Sequence, residues 1–109
     1  MKKLIILPLL TTFALADVTT VCTVETPNST RDIKFIEKEG NVDMFSKGKS
    51  LALNRGVTIK RSSIEDGVRT YQSDKASANI TIAIADSGKS VKYTFNGMSR
   101  FYENCKVLD

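Results

Sequence analysis

The chain has 109 residues, with 16 lysines and arginines against 12 aspartates and glutamates, two cysteines, no histidine and no tryptophan. Without histidine there is no Ser-His-Asp triad and no histidine-ligated metal site. The formal charge of +4 is modest, and it shrinks once the first segment is set aside.

That segment, residues 1–16, has the three parts of an export signal. Lys2 and Lys3 make a positive start, 4–10 is apolar throughout, and Ala14-Leu15-Ala16 supplies the small-x-small pattern of a cleavage site. The apolar run is broken by Pro8 and two threonines and is shorter than the roughly 20 residues a membrane span needs. Cleavage would leave 17–109 as one domain with 14 basic and 12 acidic residues, a net +2. The expected location is periplasmic or secreted in a bacterium, with no transmembrane segment in the mature chain. The remaining cations are scattered along the sequence, which argues against a nucleic-acid partner.

Strand signals follow at short intervals. Residues 18–25 are rich in Val and Thr, and Thr26-Pro27-Asn28-Ser29 reads as a turn. Residues 31–38 put Ile33 and Phe35 on one face and Ile36 on the other, and Glu37 and Glu39 would share a face. After Glu39-Gly40-Asn41 comes a short strand over 42–45, then a loop over 46–50. Leu51 and Leu53, and then Val57 and Ile59, would flank a turn at Asn54-Arg55-Gly56. Residues 68–72 follow the turn Glu65-Asp66-Gly67, and 73–78 can hold a helical turn. Ile80, Ile82 and Ile84 share one strand face.

The clearest local signal is Asn96-Gly97, a type I′ hairpin pair between 91–95 and 98–107. A two-residue loop pairs Phe95 with Met98, Tyr93 with Arg100 and Val91 with Tyr102. That register sends Cys105 to the opposite face unless a bulge intervenes. Seven to eight short strands at even spacing predict an all-β fold, a small antiparallel barrel or sandwich. Cys22 and Cys105, 83 positions apart in the first and last strands, are expected to form one disulfide in an oxidising compartment. Such a bridge would remove denatured-state entropy worth roughly 3–5 kcal/mol. No C-x-x-C spacing suggests redox work.

No catalytic constellation emerges. With both cysteines bridged there is no thiolate cluster for zinc, and no loop offers the oxygen spacing of a calcium site; no metal or cofactor is expected. Gly48-Lys49-Ser50 and Gly88-Lys89-Ser90 lack the earlier glycine of a phosphate-binding loop, and no following helix is expected. Asn28 and Asn79 open glycosylation-like triplets that carry little weight in a bacterium. Surface recognition remains: Arg69 and Tyr71 share a face, as do Tyr93, Arg100 and Tyr102, and these are residue types favoured at interface hot spots. The competing reading packs the tyrosines in the core with arginines stacked on them.

The layout of signal, first strand with a cysteine, small antiparallel barrel and final strand with a second cysteine resembles the periplasmic inhibitors of c-type lysozyme. Members carry a Ser-Gly-x-x-Tyr-like segment on a loop that enters the lysozyme cleft. The nearest stretch is Asp66-Gly67-Val68-Arg69-Thr70-Tyr71, with Asp in place of the serine and one extra residue before the tyrosine. The family's tryptophan is missing, and its functional lysine would correspond to Lys89. The leading expectation is a non-enzymatic exported domain that binds a protein or cell-envelope component. Lysozyme inhibition through Arg69, Tyr71 and Lys89 is the second reading, and a small hydrolase of unrecognised chemistry the third.

Overall fold

A computed structural model describes residues 17–108; residues 1–16, where an export signal is expected, lie outside the described residues. The fold is all-β, ten antiparallel strands in a nearly closed barrel. The strands are β1 (Val18–Thr26), β2 (Ser29–Lys38), β3 (Asn41–Ser46), β4 (Lys49–Ser50) and β5 (Ile59–Glu65), followed by β6 (Val68–Ser73), β7 (Ile80–Ala85), β8 (Val91–Phe95), β9 (Met98–Tyr102) and β10 (Cys105–Leu108). Among the described residues a short helix, α1 (Leu51–Arg55), follows β4, and a 3-10 turn spans Ala76–Ala78. Each strand pairs with the next in sequence, apart from β4, which pairs only with β3, and β9, which does not pair with β10; β10 returns to pair with β1.

Period-two patterning explains the core. Ile33 and Phe35 on β2, Tyr71 on β6, Ile80, Ile82 and Ile84 on β7, and Val91 on β8 all point inward and are buried. The hairpin at Asn96-Gly97 has the expected register, Phe95 to Met98, Tyr93 to Arg100 and Val91 to Tyr102, with both turn residues at positive φ. The return strand then breaks at Glu103-Asn104. That interruption shifts the side-chain parity, so Cys105 lies opposite Cys22 on the inner face, and the two form the disulfide between first and last strands. The Thr23 amide donates to the Asn104 carbonyl beside the break.

Two expectations are corrected. Residues 51–55 are helical, not a strand entering a turn. The Ser50 hydroxyl accepts from the Leu53 amide as N-cap, and Gly56 closes the helix in the left-handed conformation at φ 66°. A helix, though a short one, therefore does follow Gly48-Lys49-Ser50. Residues 59–65 form a full strand that polar Lys60-Arg61-Ser62-Ser63 conceals; it carries a register shift between Arg61 and Ser63.

Because the strands alternate in direction, their connections sort to two ends. The upper end holds the turns after β2, β5 and β7. The lower end holds those after β1, β3 and β8, together with α1 and the Ala76–Ala78 turn. Along the wall, β3 meets β5 only at Asn41 and Lys60. Below that point α1 stands in for the missing strand pairing and leaves an outer cleft of about 390 Å³, floored by Ile36, Phe45, Ala52 and Val57.

Candidate functional site

Glu37 is where the structure departs furthest from the sequence reading. Glu39 does not share its face: it sits in the β2–β3 turn at φ 52°. Glu37 itself continues the inward series of Ile33 and Phe35 and is 5% exposed inside the barrel. A carboxylate there must be paired, and it is. Arg69 on β6 reaches it with Nε at 2.6 Å from Oε2 and a second nitrogen at 2.9 Å from Oε1, a two-pronged contact across the barrel. The buried Tyr71 hydroxyl donates to Oε2 at 2.5 Å. Arg69 also pairs with Asp86, at the mouth of the upper end.

This network fixes two turns against each other. The Asp86 amide donates to the Gly67 carbonyl at 2.7 Å, and the Asp86 side chain takes the remaining arm of Arg69. The β5–β6 turn, bearing Asp66, and the β7–β8 turn, bearing Lys89, are thereby held side by side on a base anchored in the core. Asp66 and Lys89 are both exposed. Gly88, beside Lys89, packs so closely on β10 that an added Cβ would lie 2.2 Å from Val107 Cγ2. The C-terminal strand thus buttresses the same turn.

Electrostatics follow the geometry. Hydrogen bonding to Glu37, aided by the charges of Glu37 and Asp86, holds the Arg69 proton more tightly than usual against the opposing effect of burial. Burial, then the bond to Glu37, pushes the Tyr71 phenol up to about 12. A phenol whose folded-state pKa exceeds its unfolded value near 10 binds its proton better when folded. Its contribution to stability is therefore complete below pH 10 and is lost as pH rises towards 12. Burial raises Tyr93 and Tyr102 as well. Alkaline titration followed by circular dichroism is expected to show stability falling across this window, less steeply in Tyr71→Phe.

The sequence-nominated residues fall into two groups. Arg69, Tyr71 and Lys89 belong to the upper end, with Arg69 and Tyr71 serving mainly as its internal frame. Tyr93, Arg100 and Tyr102 lie along the β8–β9 hairpin, the first two midway and Tyr102 opposite Val91 at its open end. There Arg55 of α1 lies 4.7 Å above the Phe95 ring, and Phe35 and Tyr102 pack with centroids 6.0 Å apart. The two groups do not form one site. Sequence reasoning missed Glu37 and Asp86, although continuing the Ile33 and Phe35 alternation by one step places Glu37 inward.

Among the described residues, no cluster of His, Cys, Asp or Glu could hold a metal ion, and no helix is long and apolar enough to cross a membrane. The class defined by fold and geometry is a disulfide-closed antiparallel β-barrel with a braced pair of turns at one end. Comparison with protein families, curated proteins and solved structures finds no match to the chain.

Proposed function

We propose that this protein is a non-enzymatic, exported binding barrel that captures a protein partner with the paired turns of its upper end. The observation carrying this reading is the bracing of those turns by the Asp86–Gly67 bond and the Glu37–Arg69–Asp86 network. Loops held rigid before contact lose little entropy on binding. Around them Glu39, Glu65 and Asp66 are exposed acids beside Lys38 and Lys89, a pattern suited to a partner with a basic rim around an acidic recess. The disulfide supports export, since such bonds persist in oxidising compartments. The test is a pull-down from cell-envelope extract. Wild type is expected to retain a partner that Lys89→Ala with Asp66→Ala loses; equal retention would sink the reading.

Inhibition of c-type lysozyme is the second reading. It is favoured by the placement of Lys89 on the turn next to the Asp66-to-Tyr71 segment that resembles the inhibitors' loop. Glycosidases of this kind work with two carboxylates flanking the scissile bond, and a lysine inserted between them would find charge complementarity. Asp66, where the family has serine, would oppose the same carboxylates. Asp66→Ser is therefore expected to strengthen inhibition and Lys89→Ala to abolish it. Unchanged lysozyme activity at large molar excess of the protein would eliminate this reading.

A further inference from the structure

The cations scattered in sequence are gathered in space. Lys47 lies in the β3–β4 turn, Lys49 on β4, Arg55 on α1 and Lys75 before the Ala76–Ala78 turn, all at the lower end, and Arg100 stands midway up β9; all five are exposed. Specific contacts knit these elements together. Arg55 stacks on Phe95, Lys75 Nζ lies 3.8 Å from where a Cβ would stand at Gly56, and Asp74 bonds both ways with Thr58. Asp32, beside Lys47, accepts from the Thr23 hydroxyl, and two of the other three carboxylates at this end are likewise engaged. Asp43 accepts from the Ser50 hydroxyl and the Met44 and Ala52 amides, and Asp74 from the Thr58 amide. Glu25, at the end of β1, is the third.

Between the cations two large apolar side chains stand in water: Leu53 on α1, 85% exposed, and Met98 at the start of β9, 73% exposed. We propose that this end docks on an anionic lipid bilayer. Exposed apolar tips among cations match the headgroup boundary, where leucine and methionine enter the acyl edge and lysine and arginine meet phosphates. An acidic peptide would want a groove, and a soluble polyanion would leave Leu53 and Met98 without a role. The exposed acids Glu39, Glu65 and Asp66 at the opposite end would be repelled by the same bilayer. The resulting dipole turns the lower end towards the lipid and leaves the upper turns free.

The test is co-sedimentation of the disulfide-intact protein with phosphatidylcholine vesicles, with and without phosphatidylglycerol. Binding is expected only with phosphatidylglycerol present, with release by salt as charges are screened. Arg55→Ala should weaken partitioning about fivefold, the effect of one cation near such a surface. Leu53→Ser, at an exposed position that leaves the circular dichroism unchanged, should weaken it without altering charge, while Lys89→Ala should not. The proposal is overturned by no sedimentation with anionic vesicles, by equal binding to neutral ones, or by binding insensitive to Leu53→Ser. Capture on heparin that matches vesicle binding and ignores Leu53 would likewise overturn it in favour of a polyanion.

Discussion

Replacing Cys22 and Cys105 together by alanine is expected to lower the unfolding free energy by roughly 3–5 kcal/mol. The bridge closes a separation of 83 positions, so its loss releases a long loop in the denatured state. It also matters locally. After the break at Glu103-Asn104, β10 holds β1 through only four register pairs, from Thr19–Leu108 to Cys22–Cys105. Urea unfolding checks this: the midpoint should fall steeply, with a larger slope because the open denatured chain exposes more surface. A loss under about 1 kcal/mol would mean that strand pairing alone closes the barrel.

Glu37→Ala is expected to cost about 3 kcal/mol, because it leaves the largely buried Arg69 guanidinium with only Asp86, at the barrel mouth, as a partner. Arg69 is only 19% exposed at the side chain and Glu37 7%, and the Tyr71 hydroxyl is stranded by the same change. In a domain of this size that is a drop of roughly 12 °C or more in melting temperature. The replacement Glu37→Leu with Arg69→Met removes both charges and should be the milder variant, since no charge is left unpaired. A double variant less stable than Glu37→Ala would contradict the assignment of the cost to an orphaned cation.

How far the fold could be read depended on the kind of signal each segment carries. Ile80, Ile82 and Ile84 alternate without interruption, and Asn96-Gly97 admits one hairpin register, so both were legible to the residue. The strand Ile59–Glu65 was not, because its middle is Lys60-Arg61-Ser62-Ser63 and its pairing with β6 and β3 is imposed by neighbours distant in sequence. In α1, Leu51 and Leu53 mimic strand alternation. The discriminating signals were Ser50 and Gly56, a cap at each end of a helix too short to show a period. Strand count consequently rose from seven or eight to ten.

The candidate site was legible only in part. That Arg69 and Tyr71 share a face follows from their spacing, but their common partner lies 32 and 34 positions away on β2. No local pattern reports a contact across a barrel. Likewise, Lys89 and Asp66 become neighbours only through the β6–β7 register, which aligns Val68 with Ala85. The lower-end cations were read as scattered for the same reason, since connections far apart in the chain meet at one end of a meander.

The proposed binding face is the pair of braced turns at the upper end. Site-specific photo-crosslinking tests it most directly, with the reactive side chain placed in turn at Asp66, at Lys89 and, as a control on the barrel wall, at Lys34. One shared adduct is expected from positions 66 and 89 in envelope extract, lost with Glu37→Ala, and none from position 34. Adducts from position 34 alone, or the same adduct from all three, would contradict it.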